Sequence, residues 1–92
     1  MERELTILNK LGLHARPAAE FVRCARKFKA TIVIRKDGAE YSAASILDVL
    51  SANLDCGSRM ILTADGPDAN AALDQLAGLL EQFRTQEDES DC

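Results

Sequence analysis

The chain holds one histidine, His14, which stands two residues before Arg16 and three before Pro17. A neutral imidazole carries a nitrogen lone pair that can attack phosphorus. An arginine beside it supplies a permanent charge and several donors matched to phosphate oxygens. Pro17 suits the first turn of a helix, where its missing N–H costs nothing, so His14 falls just ahead of a predicted helix. The first-turn N–H groups and the helix dipole make that position attractive to an anion. Phosphoryl transfer depends mostly on position and charge, and His14 with Arg16 could supply both. The residues alone leave a second reading open, because a lone loop histidine also serves as a surface residue or a helix-terminal hydrogen-bonding group.

The elements that must position these residues are legible in the apolar pattern. Residues 3–8 alternate polar and apolar, which predicts a strand with Leu5 and Ile7 facing inward. Residues 9–15 read as a loop in which Gly12 can take a positive φ. Beyond Pro17, the residues Ala18, Phe21, Val22, Ala25 and Phe28 recur at helical spacing, with Glu20, Arg23, Arg26 and Lys27 on the other sides. Residues 31–35 are rich in β-branched side chains, and Asp37-Gly38 is a strong hairpin signal before a returning strand at 39–43. Ser45 suits the N-cap of a short helix from Ile46 to about Ala52, with Asp48 three residues on in a weak capping-box pattern. A fourth strand follows at 59–64. Gly66-Pro67-Asp68 then opens a last helix striped by Ala69, Ala72, Leu73, Leu76, Leu80 and Phe83. The order β-α-β-β-α-β-α can form a four-stranded sheet with helices packed on one face.

Composition narrows the function. Ninety-two residues fit one domain and leave no room for a deep cleft. Residues 1–36 carry nine bases and three acids, whereas residues 37–92 carry two bases and twelve acids. The basic first third points to an acidic partner or a bound anion, although a solvated basic helix face is the commoner meaning of such a run. Nucleic acid is disfavoured by a net charge of −4, four aromatic residues and no recognisable motif. No apolar stretch is long enough to span a bilayer, so direct membrane insertion is not expected. The charged start, Met1-Glu2-Arg3-Glu4, lacks the apolar core of a signal peptide, which makes a cytoplasmic protein the default. The odd count and wide spacing of Cys24, Cys56 and Cys92 argue against a disulfide framework, and one histidine gives no zinc-finger spacing. No metal site and no cofactor motif is visible.

The run Asn9-Lys10-Leu11-Gly12-Leu13-His14-Ala15-Arg16-Pro17-Ala18-Ala19 resembles the active-site signature of the HPr family, the histidine phosphocarriers of the bacterial phosphoenolpyruvate-dependent phosphotransferase system. The resemblance extends over about residues 2–84, including the interval of 31 residues from His14 to Ser45. It implies an α+β fold, an open-faced two-layer β-sandwich with a four-stranded antiparallel sheet and three helices on one face. That domain would occupy residues 1–85, ahead of an acidic tail at 86–92 that reads as disordered. The family pattern implies phosphorylation at Nδ1 of His14, with Arg16 neutralising the phosphate and backbone N–H groups of Ala15 and Arg16 completing the cradle. It implies a stoichiometric carrier, not an enzyme in itself, charged by enzyme I and discharged to EIIA-type proteins, and a monomer is expected.

Ser45 matches the family's second site, a serine phosphorylated in many bacteria by an HPr kinase/phosphorylase. Its context departs from the family pattern, since Asp48 stands where a small or basic residue is common and would repel a phosphate. Capping and phosphorylation therefore both stay open for Ser45. Ile46, Leu47, Val49 and Leu50 are more apolar residues than one short helix can bury in a stripe. A partner-docking patch of Leu47 and Leu50, ringed by Arg16, Arg23 and Lys27, is expected, with Ile46 or Val49 given to the core. The main alternative is a nitrogen-related regulatory paralogue that takes phosphate on the same histidine but acts through its phosphorylation state. A third reading, a ligand-sensing domain that uses no phosphate, predicts that His14 is dispensable.

Overall fold

The computed structural model describes residues 1–8 and 12–86. The readings of residues 9–11 and of the acidic segment 87–92 lie outside the described residues. The elements follow in the order β1 (Glu2–Thr6), α1 (Ala15–Ala25), β2 (Thr31–Lys36), β3 (Ala39–Ser42), α2 (Ile46–Ser51), β4 (Arg59–Asp65) and α3 (Ala69–Gln86). This is the expected βαββαβα order. The strands lie in the order β1-β4-β2-β3, and every neighbouring pair is antiparallel.

Alternation along the strands sends Ile32 and Ile34 of β2, and Met60, Leu62 and Ala64 of β4, toward the helices. Ile7, just past β1, is fully buried, and Leu5 packs partly against the core. The helices close over this face with Ala18, Phe21, Val22 and Ala25 from α1 and with Ala69, Ala72, Leu73, Leu76, Leu80 and Phe83 from α3. Phe28 lies beyond the end of α1 and is only half-buried. On the open face Arg35 pairs with Glu2 at 3.3 Å and with Glu40 at 3.8 Å, which suits a surface turned to water. The β2–β3 hairpin turns on Asp37 and Gly38, both at positive φ, as the sequence pair predicts.

One carboxylate fixes how the two long helices run. Asp68, immediately before α3, accepts from the backbone N–H groups of Lys29 and Ala30, each at 2.8 Å. Those residues follow α1, so α3 starts where α1 finishes and runs antiparallel beside it. The hydrogen bond from Lys29 N–H, followed by that from Ala30, holds the Asp68 carboxyl below its usual range. A depressed carboxyl adds stability above its ordinary value and loses it as pH falls through the folded value. Asp68→Ala is therefore expected to lower the melting temperature at pH 7. The gap to the parent should close below about pH 3.8, the ordinary carboxyl value. Melting curves between pH 7 and pH 2 check this, and a gap constant across that range would remove the role given to the charge.

Candidate phosphoryl site

His14 is set in place by the backbone on either side of it. Before it, the segment 54–58 grips the chain: Ile7 N–H donates to Ser58 at 2.9 Å, Gly57 N–H to Ile7 at 2.7 Å, and Leu13 N–H to Leu54 at 2.8 Å. Gly12 sits at φ +65 against the same segment, where an added Cβ would lie 2.5 Å from the Leu54 carbonyl oxygen. Leu13 is buried. After it, α1 begins, with His14 as its N-cap in extended backbone and the Ala18 N–H donating to the His14 carbonyl at 2.9 Å.

These anchors present His14, Ala15 and Arg16 to solvent, while Pro17 and Ala18 are buried beneath them. Pro17 brings no N–H to the first turn and the Ala18 N–H is engaged. The donors left at this helix start are Ala15 and Arg16, whose N–H groups have no backbone acceptor among the described residues. An exposed imidazole thus stands beside two backbone donors, an exposed guanidinium and the positive end of a three-turn helix. Such a set can hold the three oxygens of a phosphoryl group, and it is open enough for another protein to reach.

Residues 1–82 match the family model described as "PTS HPr component phosphorylation site". The chain belongs to the HPr family. An HPr phosphocarrier from Cupriavidus necator is 38% identical over 80 residues, covering 87% of this chain and 90% of its own. The NPr phosphocarrier of Shewanella violacea is 42% identical over 81 residues, covering 88% of this chain and 89% of its own. A crystal structure of HPr from Thermoanaerobacter tengcongensis superposes with a TM-score of 0.87 at 40% identity, covering 90% of this chain and 93% of that one. The protein is an HPr-family phosphocarrier, and its open-faced sandwich is that of HPr structures.

The other positions singled out in the sequence fall around this site in unequal ways. Ser45 is the N-cap of α2, and its Oγ accepts from the Asp48 N–H at 3.3 Å. The box is not closed reciprocally, because the Asp48 carboxylate accepts from Ser42 N–H at 2.9 Å instead of from Ser45. A carboxylate is thus pinned within the same turn as the Ser45 hydroxyl. Lys36 secures the other end of α2 by donating to the carbonyls of Ala52 at 2.9 Å and Asn53 at 2.6 Å.

The short helix divides its apolar residues as expected. Val49 is fully buried, Ile46 packs partly against the core, and Leu47 and Leu50 are 73% and 39% exposed. Arg23 lines a recess with Ala19, Val22, Arg26 and Ile46 on the side facing α2. It also borders the groove facing α3, where Lys27 lies with Glu20, Cys24 and Gly78. Lys27 is therefore directed to the α3 side of α1 and not to the recess with Ile46.

Sequence reasoning treated Arg26 only as part of a solvated face. Its Nε donates to the Ala44 carbonyl at 2.8 Å, which ties the end of α1 to the residue before the Ser45 cap. The available signal was its helical register, since Arg26 follows Ala19 and Val22 along the face that meets α2.

The cysteines also divide. Cys24 is a free, buried thiol on α1, and burial pushes its pKa up while the Lys27 ammonium pulls the other way. Cys56 is disulfide-bonded, a single bridge where the count and spacing of the cysteines argue against a disulfide framework. Among the described residues no helix is long and apolar enough to cross a membrane, and no cluster of potential metal ligands occurs.

Proposed function

We propose that His14 is the phosphoryl acceptor, taking the group at Nδ1 from the phosphohistidine of enzyme I and passing it to an EIIA-type protein. The supporting observation is the exposed imidazole at the N-cap of α1, next to the N–H groups of Ala15 and Arg16, which have no backbone acceptor among the described residues. The Nδ1 lone pair attacks phosphorus as the bond to the donor nitrogen breaks, and the three phosphoryl oxygens keep their charge throughout. Backbone donors and the Arg16 guanidinium offset that charge without moving. The carrier contributes no acid or base, so the step is readily reversible and the group can leave as it came. Incubation with enzyme I and radiolabelled phosphoenolpyruvate tests this. The label should be lost in acid and survive alkali, as an N–P bond requires. A label stable to acid would place the phosphate on a hydroxyl and end the proposal.

Arg16 acts on the transferring group and not on the fold. Arg16→Ala removes a charge-assisted contact of about 1.5–3 kcal/mol, so transfer should slow about 10- to 100-fold. An exposed side chain changes stability by no more than about 0.5 kcal/mol, so the melting temperature should hold. Rapid-quench phosphorylation kinetics decide the matter, and parental rates in the variant would refute the role. In this reading Ser45 serves as the cap of α2, and Leu47, Leu50 and Arg23 meet the partner proteins.

The nitrogen-related branch is a second reading, favoured by the 42% identity to an NPr phosphocarrier beside the 38% identity to an HPr. In that branch the same histidine chemistry serves control of other proteins in place of sugar uptake. Measured exchange rates with the enzyme I and EIIA of each branch separate the two, because the native pair should be the fastest.

A further inference from the structure

Lys36 is a charged residue at a position that the sheet turns toward the helices. Ile32, Ile34 and Lys36 alternate onto that side of β2, and the two isoleucines are buried. Lys36 ends the strand, paired with Ala39 across the Asp37-Gly38 turn. A lysine at such an edge keeps its stem against the core and its ammonium at the rim. The ammonium meets two carbonyls, Ala52 at 2.9 Å and Asn53 at 2.6 Å. Helix α2 has no basic residue in its last turn, so Lys36 supplies the positive charge that its C-terminal carbonyls attract. The chain beyond α2 gives this contact a second consequence. Asn53 takes a φ of +51, and its carbonyl also accepts from the Asp55 N–H at 2.8 Å, which closes a tight turn centred on Leu54. The Leu54 carbonyl is the one that receives the Leu13 N–H, and Gly12 packs against the same turn. The floor under Gly12 and Leu13 is therefore hinged on a carbonyl that Lys36 holds.

We propose that Lys36 is a positioning residue for phosphoryl acceptance: through the Asn53 carbonyl it fixes the Leu54 turn on which the backbone leading into His14 rests. Lys36 touches no reacting atom. Its effect is on where the imidazole stands relative to the N–H groups of Ala15 and Arg16. Helix α1 fixes those two donors from one side, and the Leu13 anchor on Leu54 fixes His14 from the other. The docking residues Leu47 and Leu50 are held by different means, the Ser45 cap and the fully buried Val49 of the same helix. Loss of the Lys36 contacts should therefore act on transfer within the complex and not on formation of the complex. The inference rests on His14 as the acceptor, and one of its readouts does not need that reaction.

With the protein as the substrate of phosphorylated enzyme I, Lys36→Met should lower kcat about five- to twentyfold and leave KM within about twofold. Lys36→Arg keeps a charged donor for both carbonyls and should bring kcat back to within about threefold of the parent. Asp68→Ala is the stability control, since it loosens the far end of α1 and should keep the parental kcat below its melting temperature. In native-state amide exchange, protection of Leu13 relative to the buried strand residue Leu62 should fall at least about tenfold in Lys36→Met and hold in Lys36→Arg. If Lys36→Met does not fold, Lys36→Gln keeps one donor group and should show the same pattern at smaller amplitude. A parental kcat, a rise in KM alone, an Arg variant as slow as the Met variant, equal slowing in Asp68→Ala, or unchanged relative protection of Leu13 would each overturn the role. A parent that takes no phosphate would instead overturn the role of His14, and Leu13 exchange would then decide whether Lys36 holds the turn.

Discussion

His14→Ala is expected to take no label from enzyme I and phosphoenolpyruvate, a loss of at least about a thousandfold. The transferred group must be held by an atom that bonds phosphorus and then releases it at a comparable free energy, and an imidazole nitrogen does this where a hydroxyl does not. The sequence contains no second histidine to stand in. Nearby residues cannot compensate, because Arg16 and the backbone donors stabilise charge but offer no nucleophile. The fold should be untouched. His14 is exposed, and the backbone that holds it is fixed through Leu13, Gly12 and the Ala18 N–H. The change in stability should stay within about 0.5 kcal/mol, so loss of label with an unchanged melting curve is the predicted pair of results. Label retained in the variant would move the acceptor elsewhere and leave a ligand-sensing domain as the better reading.

The sequence reading was strongest where one local rule acts alone. The α3 stripe, the inward strand residues and the Asp37-Gly38 hairpin follow from periodicity and turn chemistry, and the structure has them all. Ser45 as a cap follows the same way, because a serine hydroxyl needs only its own N3 amide. What stayed hidden depends on contacts distant in the chain. The Asp48 carboxylate turns to Ser42, a choice made by the path of β3 and not by the Ser-x-x-Asp spacing. Arg26 reaches Ala44 across 18 residues, and Asp68 reaches Lys29 across 39, and nothing in their neighbourhoods announces either bond. An odd, widely spaced set of cysteines argues against a disulfide framework but carries no signal for or against a single bridge, such as the one at Cys56. At the site, His14 and Arg16 were legible as a charge-bearing pair, and the helix start between them was too. Their shared foundation on the 54–58 segment was not, because it is made by backbone atoms alone.

That foundation makes Gly12→Ala the most damaging small substitution near the site. The sequence allows a positive φ at Gly12, and the structure uses one, at +65. An alanine held there costs about 1 kcal/mol from backbone conformation. The new Cβ would also lie 2.5 Å from the Leu54 carbonyl oxygen and 2.8 Å from the Asp55 Cα, both of them backbone atoms with no rotamer to give. The loop must move off the 54–58 segment, which strains or breaks the hydrogen bond from Leu13 N–H to Leu54. The total should come to about 2–4 kcal/mol, a fall in melting temperature of about 10 °C or more for a domain of this size. Leu13 leads directly into His14, so a displacement of about 1 Å there would misplace the imidazole and slow transfer by up to about a hundredfold. Gly38→Ala is the matched control. Its φ of +81 imposes the same conformational cost, yet nothing lies within 4 Å of its added Cβ. It should lose about 1 kcal/mol and keep the parental transfer rate. Equal melting temperatures for the two variants would mean that the approach of Gly12 to Leu54 carries no load. A parental transfer rate in Gly12→Ala would mean that His14 is placed by α1 alone.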